Sequence, residues 1–258
     1  MRLYLKFLGI HVRSAMQYKS SFFATVFGQL LTSFSALLVI FFVTERYNEV
    51  GGFTYQQILL CASVVWAAFA LSECFFRGFD MFPSMIGNGE FDRALLRPCN
   101  EIFLVLCSKL ELTRLGRLIQ AAMMLIYALP RCGVSWTLPR ILVLVFMLLG
   151  GMAAFSGLFL IYAALSFFTL DGLEFMNIFT DGGREHGAYP FAVYGKPVLT
   201  LLTCIIPLAC FQYWPLTWLL GQNNSLLCAL APAACFIFLI PCVLLWKFGL
   251  RHYKSTGS

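Results

Sequence analysis

The chain has 258 residues, 60% hydrophobic and only 12% charged, with a formal net charge of +6 and a mean hydropathy of +0.81. Soluble domains carry about 25% charged residues, so this composition excludes one and marks an integral membrane protein. Abundant phenylalanine and long unbroken apolar runs favour lipid-facing helices over the short alternating segments of a membrane barrel; the basic residues flank those runs as topology signals, which argues against nucleic acid as a partner.

Residues 1–20 pattern as an amphipathic helix. Arg2, Lys6, Arg13 and Gln17 fall on one stripe, and Leu3, Phe7, Ile10 and Tyr18 on another. A basic and an apolar face suit a helix lying in the headgroup layer; the plainer alternative is an extension of the first span. Lys6, His11 and Arg13 interrupt the apolar residues, so the segment does not read as a cleaved signal.

A membrane helix needs about 20 apolar residues. The gaps between charges give 25 uncharged residues after Lys19, 23 after Glu49 and 30 after Arg140. Only 13 separate Arg117 from Arg131, so the third helix is expected to begin near Phe103, with Lys109, Glu111, Arg114 and Arg117 toward its charged end. Arginines there snorkel to the interface or face protein or water. The 50 uncharged residues between Lys196 and Lys247 suit two helices. Pro215, Gly221-Gln222-Asn223-Asn224 and Pro232 interrupt that run and suggest a re-entrant external segment at 215–232, marked by Pro215, Gly221, Asn223 and Pro232.

The predicted architecture is therefore all-α and polytopic, one transmembrane domain over residues 1–258. Its six spans lie at about 21–44, 54–76, 103–130, 140–168, 197–214 and 233–250. Gly150, Ala153, Ala154 and Gly157 form two small-xxx-small pairs that predict a close helix-packing face. With six spans, fifteen Lys and Arg residues fall on the side of the two termini and three on the other, which places both ends in the cytoplasm.

Ten cysteines include no C-x-x-C pair, and most lie in apolar runs; they read as small buried hydrophobes, with Cys132 in an external loop. The three histidines are far apart, so no metal site is expected. There is no phosphate-binding loop: Gly195-Lys196 is followed by Pro197 and lacks the upstream glycine. H-E-x-x-H and G-x-S-x-G are also absent. Glu73 is the main ionisable residue in a span, and it reads as an interfacial group paired with Arg77 four residues on. The polar stretch 171–197, with Asp181-Gly182-Gly183-Arg184-Glu185-His186-Gly187, is a cytoplasmic connector or a second contact surface. Its acids are too loosely spaced for a calcium loop.

The decapeptide Gly89-Glu90-Phe91-Asp92-Arg93-Ala94-Leu95-Leu96-Arg97-Pro98, in the loop 77–102, is charged, amphipathic and outside the bilayer core. Glu90 and Asp92 precede Arg93 and Arg97, an order that complements a helix dipole, and Pro98 stops the helix. Phe91, Ala94 and Leu95 share a face. From Glu90 to Arg97 the helix is about 12 Å long, too short to stand alone, so it must dock on a partner or on its own protein.

Three patterns now make the chain resemble a permease subunit of the type-2 ATP-binding-cassette (ABC) exporters, in the six-helix branch long catalogued as a domain of unknown function. They are this decapeptide; Tyr189-Pro190, Ile206-Pro207 and Trp214-Pro215; and the tail Trp246-Lys247-Phe248-Gly249-Leu250-Arg251-His252-Tyr253-Lys254-Ser255-Thr256-Gly257. The resemblance implies a transport subunit of a plasma membrane, of a kind found in bacteria, and not an enzyme. It implies pairing with a second permease, identical or related, and ATPase subunits beneath that hold the ATP and magnesium. It assigns the coupling helix to Glu90, Phe91, Asp92, Arg93, Leu95, Leu96, Arg97 and Pro98, with Phe91 and Leu95 filling an ATPase groove. It assigns the interfacial helix to Arg2, Lys6 and Arg13. The Phe-rich, nearly uncharged spans favour an amphipathic or lipid-like cargo. An ion-coupled carrier or channel would want carboxylates near the midplane, and a lipid-modifying enzyme would want convergent polar groups at one depth; neither pattern is present.

Overall fold

The computed structural model describes residues 2–47, 49–169 and 173–253, without the side chains of Arg2, Leu3, Leu5, Ser33, Ala36 and residues 43–47. The described chain is nearly all helix. α1 (Arg2–Gln17) precedes α2 (Lys19–Tyr47). A two-residue strand pair, Glu49–Val50 with Phe53–Thr54, turns at Gly51-Gly52 into α3 (Tyr55–Asp80). The short helices α4 (Phe82–Gly87), α5 (Glu90–Leu95) and α6 (Glu101–Ser108) follow, then α7 (Leu115–Ala128) and α8 (Leu138–Leu165). Helical turns from Leu173 to Tyr194 include α9 (Asp181–His186); α10 (Lys196–Cys204), α11 (Leu208–Leu219), α12 (Leu226–Leu230) and α13 (Ala233–His252) end the fold.

Among the described residues four helices, α2, α3, α8 and α13, are long and apolar enough to cross a membrane. α3 is the axis of the bundle, buried on every side from Ile58 to Ala70, as an all-round apolar helix should be. α2 instead leaves Phe23, Phe27, Leu31 and Phe42 exposed. On α8, a Cβ on Gly150 would lie 2.7 Å from Pro232 Cβ, and one on Gly157 3.1 Å from the Phe238 ring. The small-residue face thus admits α13.

Two expected spans differ. The helix expected over 103–130 is broken: Lys109 is extended, Leu112–Arg114 form a 3₁₀ turn, and α7 alone continues for 14 residues, about 21 Å. The break falls where Lys109, Glu111 and Arg114 concentrate charge.

The straight fifth span expected at 197–214 is replaced by α10 and α11, bent by 111° across a break at 205–207, with Pro207 preceding the first turn of α11. The connector before it does not stay at one end. The Arg184 guanidinium lies over the Phe69 ring, Cys61 Sγ donates to the Gly187 carbonyl at 3.7 Å, and Val193 packs on Gly51 beyond the start of α3. From Phe69 to Tyr55 the axis of α3 rises about 21 Å, so residues 184–193 climb that distance in short turns. Asp171 itself lies outside the described residues. Of the stretch 171–197 expected as a connector at one end of the bundle, residues 184–193 thus run along α3.

Such irregular backbone is tolerated in a bundle only where other groups bind it. Gln212, fully buried on α11, does so. Its Nε2 donates to the Gly187 and Tyr189 carbonyls at 2.9 and 2.7 Å, and its Oε1 accepts from the Phe191 N–H at 3.2 Å.

Candidate functional site

At the Asp80 end of α3 the decapeptide folds as expected in its first part and differently in its second. Gly89, at φ +68°, turns the chain into α5, a left-handed conformation that costs other residues dearly. α5 carries Glu90 and Asp92 in its first turn and ends at Leu95, two residues before the expected Arg97. Pro98 follows in irregular chain, and Asn100 starts the next helix, its Oδ1 accepting from the Phe103 N–H at 3.2 Å.

Phe91 is fully buried inside its own chain. Its ring lies 4.8 Å from Phe82, 5.3 Å from Tyr253, 5.7 Å from Phe167 and 6.3 Å from Trp246, mostly edge-to-face, the arrangement that aromatic quadrupoles favour. The expectation that Phe91 fills a partner's groove is thereby corrected: a ring enclosed by four others, on α4, on α13 and on the segments just after α8 and α13, has no surface to offer. Leu95 and Leu96, at 42% and 86% exposure, do. Glu90, Arg93, Arg97 and Pro98 are exposed as well, while Asp92 is half-buried and accepts from the Tyr253 hydroxyl at 3.0 Å. Burial, then the hydrogen bond from that hydroxyl and the charge of Asp92, push the Tyr253 phenol up to about 12. The first and third sequence patterns are thus in contact: α5 is bolted to α4 and to the ends of α8 and α13.

α1 reaches the same region. Tyr4 packs on Phe103, and His11 Nε2 lies 3.1 Å from the Cys107 carbonyl oxygen of α6. Lys6 and Arg13 are exposed, Phe7 is half-buried, and the side chain of Arg2 lies outside the described residues.

Just above this platform is a charge cluster that the sequence revealed only through Arg77. Glu73 is 2% exposed and meets Arg117 Nη1 at 2.7 Å, Arg114 Nε at 3.4 Å and Arg77 Nη1 at 3.6 Å. Arg117 Nε also donates to Gln29 on α2 at 2.7 Å. Arg77 pairs in turn with Asp80 at 3.0 Å and with Glu111 at 3.2 Å, and Arg114 with Glu111 at 3.4 Å. Arg77 Nε, Arg114 Nε and Glu111 Oε2 are near in charge but not aligned as hydrogen bonds. α2, α3 and the α6–α7 break are therefore pinned together by charge at one level.

The expected re-entrant residues are also placed. Pro215 does not break the chain; it is buried inside α11. An interior proline forfeits one helical hydrogen bond, and the packing around α11 tolerates this, while Pro207 marks the actual break. Gly221, at φ +72°, closes α11: its N–H donates to the Trp218 carbonyl and that of Gln222 to the Thr217 carbonyl, at 3.1 and 3.0 Å, a Schellman stop. Asn223 Oδ1 accepts from the Ser225 N–H at 3.0 Å, and Pro232 lies against Gly150 just before α13. Eight of the ten cysteines are buried; Cys99 and Cys204 are exposed. Gln212 and the Asp92–Tyr253 contact carried no signal in charge or spacing that would have singled them out.

A family model described as ABC-2 family transporter protein matches residues 30–257. No curated protein and no solved structure matches the chain.

Proposed function

This chain belongs to the ABC-2 family of transporters, and we propose that it is the membrane-spanning permease subunit of an ATP-driven exporter for an amphipathic or lipid-like cargo. ATP and magnesium are held by separate ATPase subunits, which grip the loop after α3. A second permease, identical or related, completes the pore, and both termini lie in the cytoplasm of a plasma-membrane protein.

The observation that carries this reading is the platform at α5. Its inward residue, Phe91, ties it to α4 and to the ends of two long helices, α8 and α13, while its outward residues, Leu95 and Leu96, form an apolar tip among Glu90, Arg93 and Arg97. A rigid push on that tip is delivered through Phe82, Phe167 and Trp246 to α4 and to the ends of α8 and α13. Removing a buried interface anchor costs about 1–3 kcal/mol, or roughly 5- to 150-fold in affinity. Leu96→Asp is therefore expected to lose most ATPase co-purification and ATP-driven transport while the permease still folds. Unchanged co-purification and transport in Leu96→Asp and in Leu95→Asp would sink the proposal.

A further inference from the structure

We infer that the cleft between α2 and the pair α3–α7 is a binding site for a single-chain amphiphile with an anionic head. The inference rests on the permease reading and names its cargo class. Two adjoining spaces of different character carry it. The first is a cavity of about 130 Å³ with an aromatic wall, Trp66 and Phe69 on α3, and a polar wall, Arg117 and Gln120 on α7 with Arg184 and Glu185 on α9. The second is an apolar groove of about 230 Å³, walled by Phe34 and Leu37 on α2, Leu59 on α3, Met123 and Tyr127 on α7, and again Gln120. Gln120 stands at the boundary of both.

The first cavity holds two guanidinium groups within the apolar bundle. Arg117 uses Nε on Gln29 and Nη1 on Glu73, which among the described residues leaves its Nη2 donors for a ligand; a guanidinium has five N–H donors in a fork that fits phosphate and carboxylate. Arg184 lies on the Phe69 face and pairs through Nη2 with the half-exposed Glu185 at the rim. Ionisable groups inside a membrane bundle that face a cavity mark a pathway for polar ligands. Arg117 and Tyr127 are ten residues apart on α7, about 15 Å, so the groove receives part of an acyl chain while the head sits at the arginines. The head then points to the Asp80 end of the bundle and the tail to the Tyr55 end.

The test uses the permease with its ATPase in lipid nanodiscs. The probe is a long-chain alkyl phosphate with a diazirine in its tail, and the photoproducts are mapped by peptide mass spectrometry. Competitors share the tail but carry a neutral or a trimethylammonium head. Adducts are expected on Phe34, Leu37, Met123 or Tyr127, displaced by unlabelled alkyl phosphate and at least tenfold less by the other heads. Arg184→Gln lowers labelling at least tenfold, Arg184→Lys restores most of it, and Met123→Trp blocks the groove while leaving the charged end intact. Adducts scattered over outward residues such as Phe27 and Ile126, unaffected by Arg184→Gln, would overturn the site. In vesicles, ATP turnover should deplete the bound probe; occupancy indifferent to ATP identifies a resident membrane lipid and overturns the cargo assignment. ATPase co-purification is read separately, so a failed site is distinguished from a failed permease reading.

Discussion

Replacing Gln212 by leucine removes the side chain that, among the described residues, holds the climbing backbone of residues 187–191 to α11. Three hydrogen bonds are lost together, to the Gly187 and Tyr189 carbonyls and from the Phe191 N–H. Gly187 keeps a weak thiol donor in Cys61 at 3.7 Å, so Tyr189 and Phe191 are the groups left without a partner. Each unsatisfied buried group costs about 1–3 kcal/mol, which puts Gln212→Leu at roughly 4 kcal/mol of destabilisation. The loss is larger than leucine's apolar gain because water cannot reach a side chain that is fully buried. Unfolding in mixed micelles measures the loss, and hydrogen exchange at the Phe191 amide reports its location. A cost below about 1 kcal/mol, or an unchanged Phe191 exchange rate, would refute the assignment of this segment to the interior of the bundle.

Glu73→Gln should cost about 3 kcal/mol, the lower end for breaking a buried ion pair. Arg77 and Arg114 keep Glu111, so Arg117 alone loses its carboxylate and keeps only the neutral Gln29 among the described residues, and the double variant Glu73→Gln/Arg117→Gln should recover most of the loss in a double-mutant cycle; strict additivity would argue against the pairing. Phe91→Ala should cost about 3–5 kcal/mol of folding stability, as for a large aromatic lost from a core, and be seen in unfolding of the permease without any partner; a loss confined to ATPase binding would contradict the ring's position. Gly150→Leu should cost about 1–3 kcal/mol through overpacking against Pro232, read from the same unfolding curve. The Tyr253 phenol, raised to about 12, binds its proton more tightly folded than unfolded. Its contribution is therefore complete below pH 10 and lost as pH rises through about 12; phenolate absorbance, compared with Tyr253→Phe, would show ionisation near 10 if the phenol were neither buried nor held by Asp92.

Much of the architecture was legible because it is written in local quantities. Uncharged runs of sufficient length marked α2, α3, α8 and α13, and Gly89 and Pro98 bracketed the charged decapeptide. Small residues at spacings of three and four announced the α8 face that meets α13. Glu73 was visible as an isolated charge, and its neighbour Arg77 was found by the i, i+4 rule; Arg117, 44 residues away, was not, because no local periodicity links them. Phe91 showed an amphipathic position but not a direction: an apolar ring on a short helix serves an internal cluster and an external groove equally well until its neighbours are known.

The sequence by itself determined that this protein lives in a membrane, which stretches are apolar enough to cross it and where charge forbids lipid, because transfer free energies sum residue by residue. Only the tertiary structure decided how the polar exceptions are accommodated. It turned Phe91 inward against Trp246 and Tyr253, closed Glu73 on three arginines, and carried residues 184–193 along α3 as broken turns held by Gln212. These outcomes depend on partners distant in the chain, and a buried polar or irregular segment is stable only where such partners meet it.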